Sequence, residues 1–167
     1  KDGWAHAVGQ FDDQTGGQMH ALFNNAGIGR FGWFQDIPQN ESDLVVDVNL
    51  KGVLNGIYAC LPLLEKTQGA RIVNTASTAG LIGSPQLAVY SATKFAVRGL
   101  SEALDVEFTP KGIRVIALCP WFVETPILDM GAGDMSNSHM RDGLKGLEIY
   151  PVELAAERTW AAFHGEA

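Results

Sequence analysis

Three short β-type runs alternate with helical segments along this chain of 167 residues, and no other feature constrains its fold as much. The runs lie at residues 19–23, 70–76 and 113–119. The second and third are nearly continuous in apolar, β-branched residues, as in strands that are covered on both faces. Strands that alternate with long helices are typical of a parallel sheet with right-handed crossovers. We therefore expect a single α/β domain over residues 1–167, with ligands bound beyond the carboxyl ends of the strands.

The segments around these runs predict four helices, at residues 3–14, 41–66, 86–109 and 151–164. Asn40 or Ser42 is the expected cap of the second helix, and Pro62 should bend or interrupt its last turns. Pro151 occupies the favoured first position of the last helix. Residues 128–146 are rich in Gly, Ser, Asn, Asp and Met, which predicts a mobile loop.

Composition argues against several classes of protein. The net charge is −7 without any basic run, so we expect no nucleic-acid or anionic-membrane partner. No apolar run reaches the roughly 18 residues of a membrane span. Cys60 and Cys119 lie in apolar segments without a CxxC neighbour, and the four histidines are scattered, so we expect neither a disulfide framework nor a metal site. A cytoplasmic location is the expectation.

Residues 27–32 read Gly-Ile-Gly-Arg-Phe-Gly, which formally matches the dinucleotide-binding pattern G-x-G-x-x-G. Asp47 even lies 20 residues after Gly27, where an acid that binds ribose would be expected. In a true fingerprint, however, the third glycine already lies in a helix. Residues 33–38 intervene here and end in proline, so the helix cannot start before about Asn40 and Asp47 falls inside it. We therefore reject the match.

A different pattern lies at the ends of the predicted strands. Asn24-Asn25-Ala26-Gly27 follows the first strand, Ser77 follows the second, and Tyr90-x-x-x-Lys94 comes 13 residues after Ser77. Taken alone, a tyrosine and a lysine four residues apart are more often a surface pair than a tuned acid/base. Taken together, these motifs resemble the classical short-chain dehydrogenase/reductase (SDR) family over essentially the whole chain.

The resemblance implies a doubly wound, Rossmann-like three-layer sandwich. It also implies an oxidoreductase that uses NAD or NADP to interconvert a small-molecule ketone and a secondary alcohol. Tyr90 would be the general acid/base, Lys94 would lower the pKa of Tyr90 and bind the nicotinamide ribose, and Ser77 would hold the substrate oxygen. Such a division suits the chemistry, because hydride reaches the carbonyl carbon while the oxygen must gain a proton.

Asn49 is the fourth candidate catalytic residue. It lies on an apolar stripe between Val45 and Val53, so its position alone favours a packing asparagine that bonds to neighbouring backbone. The family places an asparagine in a similar stretch, where it holds a water that relays protons toward the lysine. The resemblance assigns this role to Asn49.

The resemblance further implies a set of cofactor contacts: Asn24, Asn25, Ala26, Gly27, Tyr90, Lys94, Pro120, Val123 and Thr125. Trp121 stands where the family usually has glycine, which brings a bulky side chain near the expected nicotinamide. Phe31, Trp33 and Phe34 either wall an apolar substrate pocket or simply pack. A substrate loop or lid is implied at residues 128–146.

The resemblance also bears on assembly and completeness. It implies a homodimer or homotetramer through helices 41–66 and 86–109, and Gly52 and Gly56 suggest close packing there, either within the chain or against a second copy. The family has a glycine-rich phosphate-binding unit before the first run and a final strand after the last helix. We therefore expect the catalytic part of a longer enzyme, with run 19–23 as a bare edge. A non-catalytic assembly or binding fragment and a flavodoxin-like binding domain are the alternatives.

Overall fold

The computed structural model describes residues 2–129 and 140–165. Within them, three strands form one parallel sheet in the order β1-β2-β3, namely β1 (Ala21–Asn24), β2 (Arg71–Thr75) and β3 (Arg114–Leu118). Leu22 aligns with Ile72, and Ile72 aligns with Val115. The predicted parallel sheet is confirmed.

Helices precede, connect and follow the strands. They are α1 (Asp2–Thr15), α2 (Gln39–Val46), α3 (Gly52–Leu64), α4 (Ala88–Phe108), α5 (Met140–Gly143) and α6 (Val152–His164). Short 3-10 turns lie at Phe34–Asp36, Thr78–Gly80, Thr109–Lys111 and Pro126–Asp129. The four predicted helices are present. Pro151 is the cap of α6 and not its first residue.

Helices cover both faces of the sheet. Leu22 and Ile72 point to one face and join a buried core that includes Ile57 of α3. Because side chains alternate along a strand, the intervening residues face the other side. There the ring of Phe23 stacks on that of Phe163 in α6, with centroids 5.9 Å apart. This arrangement confirms the predicted three-layer α/β sandwich.

α2 and α3 belong to one continuous helix, in which the expected caps and the expected interruption at Pro62 are wrong. The helix begins at Gln39 after Pro38, which provides no side-chain cap, so Asn40 and Ser42 lie inside the first turn. The carbonyl of Pro38 instead accepts the amide of Ser42 at 3.2 Å. Pro62 does not interrupt the helix, which continues for two more residues. Pro62 is exposed, so water can satisfy the carbonyl that its missing N–H leaves unpaired.

A π-helical turn, Asp47–Lys51, joins α2 to α3 and was not predicted. Such turns are rare and often occur at functional sites. This one contains Asn49, which is only 1% exposed. Asp47 also lies in this turn and the first helix after Gly27 begins at Gln39, so the rejection of the G-x-G-x-x-G match is confirmed.

By length and composition alone, the helix Gln39–Leu64 would suffice to cross a membrane, although no single apolar run in the sequence is long enough. One such helix is weak evidence, because the core helix of a soluble protein passes the same test. In this fold Val53, Ile57 and Leu64 are buried in the core.

Gly56 packs closely against residues of its own chain. A Cβ at this position would collide with the side-chain oxygen of Asn24 and lie 3.0 Å from Cζ2 of Trp4 in α1. A Cβ on Gly52 would approach only the carbonyl oxygen of Asp47, at 3.7 Å. The close approach of α3 to β1 therefore requires glycine at position 56.

The loop predicted at residues 128–146 is partly helical. Leu128 is buried in the turn Pro126–Asp129, which lies after β3. Leu144 is buried just after α5. These two leucines anchor the described ends of the segment. Residues 130–139, with Met130 and Met135, lie outside the described residues.

Candidate active site

Ser77 and Tyr90 meet beyond the carboxyl end of β2. Ser77 directly precedes the turn Thr78–Gly80, and its Oγ accepts the amide of Ala79 at 3.1 Å. Tyr90 lies in the first turn of α4, and its phenol interacts with the Ser77 side chain, which acts to lower the pKa of the tyrosine. Two of the four predicted catalytic residues are thus in direct contact.

Burial raises the pKa of Tyr90 above its ordinary value of 10, because a low-dielectric environment disfavours the phenolate. The hydrogen bond with Ser77 acts in the opposite direction and offsets part of this rise. The expected lowering by Lys94 is not found in this geometry. The Lys94 ammonium lies 5.5 Å from the centroid of the Tyr90 ring and directs its hydrogen bond elsewhere. Tyr90 is therefore a protonated phenol at neutral pH.

Lys94 is a buried cation, only 3% exposed. Its Nζ donates to the carbonyl oxygen of Thr75, the last residue of β2, at 2.7 Å. Burial lowers the pKa of Lys94 from 10.5 to about 8. An ammonium has three N–H donors, and Thr75 is its one hydrogen-bond acceptor among residues 2–129 and 140–165. Two donors can therefore serve a bound molecule.

Asn49 is held by backbone, as its position alone suggests. Its Oδ1 accepts the amide of Ile28 at 2.9 Å, and its Nδ2 donates to the carbonyl of Ile28 at 2.9 Å and to Oγ1 of Thr93 at 3.2 Å. Both amide hydrogens are thus used, and one lone pair of Oδ1 is left. The geometry fits the packing interpretation of Asn49 without excluding a second contact.

Asn24 points away from the site. Its side chain is buried, and Nδ2 donates to Oδ1 of Asn74 at 2.8 Å, while Nδ2 of Asn74 donates to Oγ of Ser101 at 2.9 Å. This network ties β1 and β2 to α4. A cofactor contact by Asn24 would therefore have to come from its backbone.

Asn25, Ala26 and Gly27 lie beyond the end of β1, beside the catalytic candidates. Oδ1 of Asn25 accepts the hydroxyl of Thr75 at 2.9 Å. A Cβ on Gly27 would lie 3.5 Å from both Nζ of Lys94 and Oδ1 of Asn49. Glycine at this position keeps the space between the two polar groups open.

Pro120, Val123 and Thr125 follow β3. The carbonyl of Pro120 accepts the amide of Thr78 at 3.0 Å, which places it beside the serine turn. Val123 forms a parallel bridge with Tyr150, whose main-chain bonds of 2.9 Å go to the residues on either side of Val123. In this pattern the N–H and C=O of Val123 itself point the opposite way. The hydroxyl of Thr125 donates to that C=O at 3.2 Å.

Aromatic side chains near the site are mostly at the surface. Trp121 is 46% exposed and packs edge-on against Phe122, with centroids 4.8 Å apart. Trp33 and Phe34 are more than half exposed, whereas Phe31 is half-buried. These positions do not form a closed apolar wall among the described residues.

Sequence reasoning missed three supporting groups. The Thr75 carbonyl holds Lys94, and Thr93 bridges Asn49 to the Tyr90 carbonyl, to which it donates at 2.7 Å. Gly80 packs so tightly that a Cβ would lie 2.7 Å from the carbonyl oxygen of Lys94. A glycine three residues after Ser77 was the available signal for this contact. In the described ranges, Cys60 and Cys119 are free thiols and no cluster of His, Cys, Asp and Glu suits a metal ion.

Comparison with known proteins gives consistent matches. The family model for short chain dehydrogenase matches residues 1–133. The oxidoreductase UcpA of Salmonella typhimurium is 39% identical over 117 residues, which is 70% of this chain and 44% of UcpA. The 3-alpha-(or 20-beta)-hydroxysteroid dehydrogenase of Mycobacterium tuberculosis is 36% identical over 146 residues, 87% of this chain and 56% of that protein. The chain thus spans about half the length of these curated relatives.

Solved structures agree with the sequence matches. A 3-ketoacyl-(acyl-carrier-protein) reductase from Brucella melitensis, complexed with NADH, aligns with a TM-score of 0.78 at 30% identity, covering 95% of this chain and 65% of its own. A gluconate 5-dehydrogenase from Burkholderia cenocepacia, in complex with NADP and tartrate, aligns with a TM-score of 0.70 at 29% identity over 74% of this chain and 48% of its own. With its fold, strand-end motifs and family match in agreement, the chain belongs to the short-chain dehydrogenase family.

Proposed function

We propose that this chain carries the catalytic centre of an NAD(P)-dependent oxidoreductase that interconverts a ketone and a secondary alcohol. One observation carries the proposal. The interacting side chains of Ser77 and Tyr90 and the buried Lys94 lie together beyond the carboxyl end of β2, where parallel α/β sheets bind ligands. Membership in the family supports it, as do the NADH and NADP complexes of two similar structures.

A nicotinamide cofactor fits the polar groups at this edge of the sheet. Lys94 has two donors that no residue in the described ranges uses and that can serve ribose hydroxyls. The N–H and C=O of Val123, turned away from Tyr150, match the acceptor and donor of a carboxamide. Gly27 leaves room beside Lys94. The remaining contacts are assigned to Asn25, Ala26, Tyr90, Pro120 and Thr125, and to the backbone of Asn24.

The side chains divide the proton chemistry between them. Tyr90 donates its phenolic proton to the carbonyl oxygen in reduction and accepts a proton from the alcohol in oxidation. Its raised pKa keeps it protonated at neutral pH, so the proton is available for transfer. The Ser77 hydroxyl donates to the same substrate oxygen. When bound, NAD(P) supplies or accepts the hydride.

Asn49 has a narrower role in this proposal than the resemblance alone implies. Its amide hydrogens are engaged by Ile28 and Thr93, so only Oδ1 has capacity left to hold a relay water between itself and Lys94. The open space beside Gly27, 3.5 Å from both groups, supports that position.

The proposal extends to substrate and assembly. The substrate is a small carbonyl compound or alcohol, bound by a single domain over residues 1–167 with a substrate loop at 128–146. The protein forms a homodimer or homotetramer through α2–α3 and α4 and acts in the cytoplasm. The exposed ring of Tyr58 on α3 and the exposed apolar side chains of Phe95 and Val106 on α4 support such an interface.

Fluorescence titration of the purified protein with NADH and NADPH, with its intact mass measured on the same sample, tests the function. We expect micromolar binding of one of them and turnover of a ketone panel. Tyr90→Phe should lower turnover by about a thousandfold while sparing binding, because it removes only the proton donor. Tyr58→Phe, on an exposed tyrosine of α3, is the matched control and should keep full activity. Failure of both cofactors to bind would refute the proposal and favour a non-catalytic fragment.

A further inference from the structure

We propose that Arg141 is a positioning residue that clamps the segment carrying Val123 and Thr125 by binding two carboxylates at once. Its Nη1 and Nη2 donate to the two carboxylate oxygens of Glu124, at 3.0 and 2.7 Å. Its Nε and Nη2 donate to the two oxygens of Asp129, at 2.8 and 3.4 Å. One guanidinium on α5 therefore holds both ends of the short stretch 124–129.

The ion pairs of Arg141 with Glu124 and Asp129 are expected to stabilise the segment measurably. Isolated surface ion pairs contribute little, but a bidentate arginine shared by two carboxylates forms a network with fixed geometry. The two acids also repel each other, since the negative charge of Asp129 acts to raise the pKa of Glu124 while Arg141 holds that pKa below its ordinary value. Removing the guanidinium leaves two neighbouring negative charges without their shared partner.

The clamped stretch is coupled to the residues assigned to cofactor binding. Glu124 directly follows Val123, and its amide donates to the carbonyl of Tyr150 at 2.9 Å. The amide of Leu128 donates to the carbonyl of Thr125 at 3.1 Å, and Leu128 is buried. A change at Arg141 can therefore reach the Val123 backbone through the Glu124–Tyr150 and Leu128–Thr125 hydrogen bonds. The kinetic part of this inference rests on the proposed function.

The test compares Arg141→Gln and Arg141→Lys with Arg114→Gln. Arg114 is the matched control, because it also forms an exposed bidentate pair, with Asp105 at 2.8 and 3.1 Å, but at the opposite end of β3. Amide hydrogen exchange at Glu124 and Leu128 reports the clamp without requiring activity. KM for NAD(P)H and kcat report its effect on the site.

In Arg141→Gln we expect exchange at both amides to be about tenfold faster and KM to rise about threefold to tenfold, with kcat changed less. Arg141→Lys keeps the positive charge but lacks the forked guanidinium, so its exchange rates and KM should lie between those of Arg141→Gln and wild type. Arg114→Gln should change neither readout. Unchanged exchange in Arg141→Gln, or equal acceleration in Arg114→Gln, refutes the clamp. Faster exchange with unchanged KM in an active enzyme refutes its role toward the site.

The two proposals fail separately. If the wild-type protein neither binds cofactor nor turns over substrate, the proposed function is wrong. In that case the exchange rates alone decide whether Arg141 clamps the segment.

Discussion

The buried ammonium of Lys94 couples stability to pH at a single residue. Its pKa falls from 10.5 to about 8 on folding, because burial disfavours the charged form. Between about pH 8 and 10.5 the unfolded chain therefore binds a proton that the native protein has released. The contribution of Lys94 to stability must be lowest below pH 8 and must rise through this window.

Lys94→Met removes this titration without removing the bulk of the side chain. The free energy of unfolding of the variant minus that of wild type should fall by roughly 3 kcal/mol between about pH 7 and pH 10.5. Urea denaturation at a series of pH values measures the difference. Subtraction cancels the opposite trend from Tyr90 and Cys60, whose raised pKa values reduce stability at alkaline pH in both proteins. The trend from Cys119 cancels only in part, because Lys94 acts to lower the raised pKa of that thiol. A difference that stays constant with pH would show that Lys94 titrates normally.

Asn49 is expected to matter for stability as well as chemistry. In Asn49→Ala the amide and carbonyl of the half-buried Ile28 lose the partners that the side chain provides. We expect a loss of roughly 2–4 kcal/mol in the free energy of unfolding. Asn55→Ala is the control, because Asn55 lies on α3 and makes no side-chain hydrogen bond within the described part of the chain. Similar losses in the two variants would contradict the structural role of Asn49.

At the scale of elements, the turn Thr78–Gly80 fixes Ser77 against α4 through Gly80. A Cβ there would lie 2.7 Å from the carbonyl oxygen of Lys94, and backbone cannot yield as a flexible side chain can. Gly80→Ala should therefore lower the free energy of unfolding by roughly 2 kcal/mol or more. A Cβ on Gly83 would meet nothing within 4 Å, so Gly83→Ala should change stability by less than about 1 kcal/mol. Thermal denaturation of the two variants tests this difference. Equal melting temperatures would show that residue 80 does not pack tightly against the Lys94 backbone.

The sequence predicted those elements whose signals are local. Hydrophobic periodicity and β-branched runs identified β2, β3 and α4 to within two residues, since burial of a strand or helix face leaves its period in the chain. The π turn around Asn49 could not be predicted, because it depends on bonds to Ile28, which lies 21 residues away. The prediction that Asn40 or Ser42 caps the helix was wrong, since the helix begins after Pro38 without a side-chain cap.

Which residues lie in the candidate site was easier to predict than the direction of their pKa shifts. Ser77, Tyr90 and Lys94 were assigned from the family resemblance that their motifs carry, and the fold brings these three residues together. The direction of the Tyr90 pKa shift was not predicted, because burial is its main cause and the Lys94 ammonium bonds to Thr75 instead. The buried bond of the Asn24 side chain to Asn74 was not predicted either, since a motif fixes a residue's position along the strand but not the partner it finds in the core.

At the scale of the whole molecule, α4 presents an apolar face to solvent. Five of its exposed residues recur at helical spacing: Ala92, Phe95, Gly99, Ala103 and Val106. A solvent-facing helix surface is normally charged or polar, and continuous apolar surface of this kind marks an interface. A shallow cavity of about 80 Å³ between α3 and α4, lined by leucines and by Tyr58, continues this apolar surface.

A charge placed on this face should therefore separate subunits without unfolding them. Val106 is 75% exposed, so Val106→Glu costs the isolated subunit little but would bury a carboxylate in an apolar interface. We expect light scattering to give a dimer or tetramer for wild type and a shift toward monomer for Val106→Glu, with unchanged circular dichroism. Val152→Glu places the same charge at the 48% exposed start of α6 and should leave the assembly intact. A monomeric wild type, or equal dissociation in both variants, would show that the apolar face of α4 does not hold subunits together.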